Sequence, residues 1–183
     1  MAEVIRRGVI GLAVSALLLL AFSAPAGVAS GDDNRAPDLE GECAKLQVPE
    51  GNKVHFAASA VGVQIYRWNG TSWVFVAPEA VLLADPEDDD PVAIHYAGPT
   101  WESDSGSKVV GRVLERCTPD PDAIPWLLLK AKSTDGPGIF DGVTYIQRVN
   151  TVGGKAPTAP GDYVGEVVEV PYTAEYFFYR ADP

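Results

Sequence analysis

The chain is predicted to fold as an all-β, single-domain antiparallel β-sandwich or barrel behind an N-terminal signal peptide. Three observations predict this: the apolar runs are short, they are rich in Val, Tyr and Trp, and Gly, Pro, Asp and Asn turn chemistry separates them. Strands packed into two sheets or one closed sheet are the architectures that such a pattern supports.

The first segment sets the compartment. Arg6 and Arg7 precede an apolar run from Gly8 to Phe22, and Ala24, Ala26, Val28 and Ser30 place small residues where a signal peptidase cuts, after Ala26 or Ser30. A membrane anchor would need ~20 apolar residues and a positive stop signal, whereas this run ends in Ala24-Pro25-Ala26-Gly27 and then Gly31-Asp32-Asp33. Residues 1–30 are therefore expected to be a signal peptide, giving a secreted protein, extracellular or periplasmic, with no stable membrane span after cleavage.

Residues 31–42 are polar and Gly/Asp-rich, as expected of a flexible leader, and one β domain is expected over 43–183. Val54 to Ala60 and Val61 to Trp68 are β-favoured runs. Asn69-Gly70 then supplies two positions that tolerate positive φ before Trp73-Val74-Phe75-Val76, the strongest hairpin signal in the chain. Alternation in 63–68 puts Val63 and Ile65 on one face and Gln64, Tyr66 and Trp68 on the other. Pro78 to Ala84 has some helical character. Further strands are expected at 92–97, 108–115, 126–132, 143–150, 165–170 and 174–180, with turns at 85–91, 103–106, 119–125, 134–138 and 153–161. No fixed-period repeat and no internal linker is visible.

The sequence holds 14 Lys+Arg against 25 Asp+Glu, a net charge of −11, and loss of Glu3, Arg6 and Arg7 with the signal makes it more negative still. An acidic surface repels phosphate backbones and anionic headgroups, so nucleic acid is excluded as a partner class. Cys43 and Cys117 survive maturation, and an exported pair is expected to form a disulfide. The loop of about 75 residues that it closes is worth up to ~4 kcal/mol in chain entropy. A shared metal is the rival, but no Cys-x-x-Cys spacing exists and neither histidine lies near either cysteine in sequence. Glu40-Gly41-Glu42 also precedes Cys43 where a lipoprotein signal would carry small and apolar residues.

Several segments arrive in a distinctive order: Gly62-Val63-Gln64-Ile65-Tyr66, the run His95 to Glu102, Gly106 to Gly111, Ala123 to Leu129, Val143 to Gly154 and Val170 to Tyr176. Together they resemble DUF 3455, a family of exported bacterial and fungal proteins of unknown function, over nearly the whole mature chain. The resemblance implies company rather than chemistry, since the family brings no catalytic residues. It implies a cysteine just after the Gln-x-Tyr strand and another after the Gly-Gly-x-Ala-Pro loop, where this chain has Arg67-Trp68 and Pro160-Gly161-Asp162. Their joint absence leaves Cys43 and Cys117 as the available bridge. Some fungal relatives are labelled malate dehydrogenase, but no strand-Gly-x-Gly-x-x-Gly-helix unit is present to hold a dinucleotide, and no cofactor is expected.

Two kinds of site compete. His95 and Glu102 form the candidate acid–base pair, because a histidine exchanges protons near neutrality and a nearby carboxylate orients or charges it. His95 should project opposite to Ile94 and Tyr96, and the Gly98-Pro99 break would have to fold Glu102 back toward it. A strand histidine bonded at a β-bulge is the simpler reading. The binding alternative uses Tyr66, Trp68 and Trp101, with Trp73 and Trp126 as further flat faces, for a glycan or a small apolar ligand. Asp85, Glu87, Asp88, Asp89 and Asp90 lack calcium-loop spacing and read as a solvated turn, so no metal site is expected. Ser103, Ser105 and Ser107 sit in a turn without a nucleophile elbow. Asn69-Gly70-Thr71 fits a glycosylation sequon, but the hairpin already accounts for it. The expectation is an exported, non-enzymatic binding or structural β-domain, with a hydrolase or lyase using His95 and Glu102 as the alternative.

Overall fold

A computed structural model of the protein describes residues 36–87 and 90–182; the expected signal peptide, residues 31–35 of the expected leader, and Asp88 and Asp89 lie outside the described residues. Among these residues the chain folds as an all-β antiparallel barrel of eight strands: β1 (Asn52–Trp68), β2 (Trp73–Leu83), β3 (Ala93–Tyr96), β4 (Thr100–Ser103), β5 (Lys108–Cys117), β6 (Trp126–Asp135), β7 (Val143–Gly153) and β8 (Val167–Ala181). Every strand pairs with its neighbour in sequence, and β8 returns to β1. Closure pairs the first strand with the last, while β2 meets β3 only at Ala80–Leu82 and β5 meets β4 only at Lys108–Val110.

The long β1 makes closure possible. It runs from Asn52 against Ala181 to Arg67 against Val167 on one side and from Ser59 against Leu83 to Trp68 against Trp73 on the other. The two runs expected at 54–60 and 61–68 are thus one strand, and those expected at 165–170 and 174–180 merge into β8. The β1–β2 connection is the expected Asn69-Gly70 hairpin: Asn69 Oδ1 accepts from the N–H groups of Thr71 and Ser72, both at 2.8 Å, and Gly70 takes φ 97°. Gly62 is needed where β1 crosses β2, because a Cβ there would stand 2.1 Å from the Glu79 carbonyl oxygen.

The helical character expected at Pro78–Ala84 is not observed. Those residues continue β2, with Ala80 and Leu82 facing in and Glu79 and Val81 facing out. Pairing of Gly62 to Ala80 and of Ala80 to His95 on the two sides overrides the weak local propensity. The short β4 was not expected; it forms because the Ala97-Gly98-Pro99 turn brings Thr100–Ser103 back along β3.

The interior is filled at one end and open at the other. Phe56, Phe140, Val143 and Phe178 pack the closed end, with Phe56 and Phe178 stacked at 5.7 Å. Ser103 and Ser107 join hydroxyls at 2.8 Å there, and Ser107 Oγ accepts from Phe140 N–H. Outside β6 and β7, a 3₁₀ turn (Gly41–Leu46) covers Leu128 and Tyr145. The Cys43–Cys117 disulfide ties this turn to the end of β5, and Gln147 Nε2 donates to the Leu46 carbonyl. No helix among the described residues is long and apolar enough to cross a membrane.

Candidate functional site

The open end of the barrel holds a pocket of about 390 Å³, within the ~300–1,000 Å³ range usual for small-molecule sites. It lies where β1 meets β2, β3 meets β4 and β5 meets β6. Its inner wall is Tyr66, Trp101, Leu129 and Tyr176; its rim includes Phe75, Val76, Ala97 and Pro99. Strand alternation selects the lining: Gln64 and Tyr66 from β1, His95 from β3, Trp101 from β4, Val113 from β5, Leu127 and Leu129 from β6, and Arg148 from β7 share the lumen side.

Three rings form the wall. His95 stacks on Trp101 with centroids 4.3 Å apart and planes 8° from parallel, and Tyr176 meets both edge-on. His95 Nδ1 is 2.8 Å from the Thr100 carbonyl oxygen, which fixes it as the protonated nitrogen and leaves Nε2 as an acceptor. Burial lowers the His95 pKa to about 3; the bond to Thr100 opposes this and the positive charge of Arg148 adds to it. The imidazole is therefore neutral at physiological pH, far from the poise that efficient proton transfer requires.

Glu102 does not join it. Its partner across the β3–β4 ladder is Ile94, whereas that of His95 is Trp101. Directly paired residues project to the same face, so Glu102 emerges outside with Ile94 while His95 and Trp101 go inside. On the outer face Glu102 accepts from Tyr96 Oη at 2.6 Å and pairs with Lys108 at 3.0 Å. The Tyr96 bond and then Lys108 hold its carboxyl below the ordinary range. The Gly98-Pro99 turn reverses the chain without folding Glu102 back through the wall.

Of the aromatic candidates, Tyr66 and Trp101 line the pocket together, whereas Trp68 packs against Trp73 at 5.4 Å, away from it. Trp68 also covers Gly161, where a Cβ would stand 2.6 Å from Trp68 Cγ. The two segments in which the family resemblance places cysteines therefore touch in this chain through an indole and a glycine. Trp73 Nε1 donates to the Ala159 carbonyl at 2.9 Å.

Two features of the site were missed in the sequence. Arg148 is 8% exposed and lines the pocket, with Nε and Nη2 donating to the Pro125 carbonyl at 3.2 and 2.8 Å. Its only signal was a charge spaced two residues from Ile146 in a predicted strand. The second is a set of buried polar atoms at the inner wall: Trp101 Nε1, Gln64 Nε2 and the Tyr176 hydroxyl make no well-formed hydrogen bond among the described residues, and the Tyr172 hydroxyl behind the wall lies close enough to Tyr176 and Gln64 for both to act on its proton affinity. Gly154 fits behind them with φ 77°, where a Cβ would press on Tyr172 and Gln64, and its carbonyl accepts from Tyr66 Oη at 2.7 Å. Such a wall can enclose an apolar body.

No curated protein and no solved structure matches this chain. A family model described as a protein of unknown function (DUF3455) matches residues 83–180, which span β3 to β8 except for the last residue of β8 and include His95, Trp101 and Arg148. That match covers more than half of the chain, and the chain belongs to the DUF3455 family.

Proposed function

We propose that the protein is an exported carrier or receptor for a small, mainly apolar molecule, bound in the open end of the barrel without chemical conversion. The observation that carries this reading is the pocket itself: an apolar and aromatic concavity inside a closed barrel, with the Arg148 side chain among its lining. The disulfide supports export, since such bridges persist in oxidising compartments. The separation of Glu102 from His95, and the low proton affinity of His95, favour this reading over the acid–base alternative.

Nile red, a neutral dye whose emission rises in apolar surroundings, tests the reading. Saturable one-to-one binding is expected in the purified exported protein. Ala97→Trp, at an exposed rim position, should weaken it by about tenfold or more without changing the melting temperature. Absence of saturable binding, or binding indifferent to the rim substitution, would overturn the reading.

A further inference from the structure

We propose that the ligand of this pocket is a small monocarboxylate, with its carboxylate paired to Arg148 and its apolar body against the aromatic wall; this rests on the pocket being a binding site. Arg148 is the point of departure. A guanidinium has five N–H groups, and here two of them share one carbonyl oxygen, that of Pro125. No carboxylate lies within 4.0 Å of it among the described residues, where the ion pairs are Lys53 with Asp182 and Lys108 with Glu102. A cation buried to this extent without a counter-charge is costly, and a bound anion would offset that cost.

The charge around the pocket agrees. In a chain with 25 acidic residues against 14 basic ones, the lining contains two arginines, Arg116 and Arg148, and no Asp or Glu. The acidic exterior and the basic pocket thus have opposite sign. Arg148 also acts on the wall, where its charge lowers the proton affinity of His95 and opposes the burial that raises Tyr66 and Tyr172. Because His95 stays neutral, the arginine is the cation that an anion in the inner pocket would meet.

Geometry selects the class of anion. The fork of a guanidinium matches the two oxygens of a carboxylate, giving charge-assisted bonds. The remaining wall, including Val113, Leu127, Leu129 and Ile124, offers carbon. Dianionic headgroups and sugars would leave that carbon surface in contact with polar groups. A volume of about 390 Å³ suits one ring or a short chain rather than a long lipid tail.

The test is a comparison of 4-phenylbutyrate with 4-phenylbutanol, matched in body and different in head, as competitors of Nile red. In the wild type the acid is expected to bind about tenfold or more tightly than the alcohol, with the advantage shrinking as salt is raised. Arg148→Met should abolish the difference between the two, while Arg148→Lys should keep part of it. Equal affinity for acid and alcohol in the wild type would overturn the inference while leaving the binding site intact. An acid preference unchanged in Arg148→Met would also overturn it. Failure of Nile red as well as both competitors would instead count against the binding reading. If Arg148→Met does not fold, the wild-type comparison and the lysine variant decide the matter.

Discussion

His95 shows how one residue's surroundings decide its chemistry. A stacked, edge-covered imidazole with Nδ1 donating to Thr100 is held neutral, and its pKa falls from 6.5 to about 3. The unfolded chain binds a proton near pH 6.5 that the folded chain refuses. The stability this residue contributes is therefore complete above pH 6.5 and is lost as the pH falls toward 3, at up to ~1.4 kcal/mol per pH unit. Urea unfolding of the wild type and His95→Gln between pH 7 and 5 checks this: the wild type should lose more stability than the variant over that window. Trp101 belongs to the same stack and is 1% exposed, so Trp101→Ala should cost about 3–5 kcal/mol, measured by urea unfolding at neutral pH. Trp101→Phe keeps most of the buried carbon and should cost markedly less.

At the scale of elements, the alternation of β3 was legible and its register was not. Val92 to Ala97 correctly implied that His95 points away from Ile94 and Tyr96. What brings a residue beside another across a hairpin is the length of the turn, and the sequence did not reveal that Thr100–Ser103 would pair at all. One register step decides whether Glu102 lies inside or outside. Arg148 was hidden for a related reason: β7 is buried on both faces, by the lumen and by the 3₁₀ turn, so its pattern carries no apolar/polar alternation to mark the inward side. The helical hint in β2 was a local preference that pairing on both edges overrode. The 3₁₀ turn depends on its disulfide, which spans 74 residues of sequence. Cys43→Ala with Cys117→Ala should lower stability by about 2–4 kcal/mol in urea unfolding, and reductant should produce the same loss in the wild type alone.

For the whole molecule, short Val- and Tyr-rich runs between turns were enough to imply an all-β antiparallel fold. They were not enough to choose a barrel over a sandwich, because closure depends on β1 and β8 meeting over most of their length across more than a hundred residues of sequence. The consequence of closure is a lumen, and the sequence distributes its lining over all eight strands and their turns, so no local motif announces it. The barrel spends one end on packing, with Phe56, Phe140 and Phe178, and keeps the other open around Tyr66, Trp101 and Arg148.

The central claim is that a ligand enters this open end, and the indole N–H groups report on it individually. Trp101 lines the pocket and its Nε1 has no hydrogen-bond partner among the described residues, whereas Trp73 Nε1 is bonded to Ala159 and Trp68 lies outside the pocket. Titration of ¹⁵N-labelled protein with 4-phenylbutyrate or 4-phenylbutanol should therefore shift the Trp101 indole resonance saturably and leave those of Trp68 and Trp73 in place. A Trp101 resonance that stays fixed while Trp68 or Trp73 moves would contradict the account.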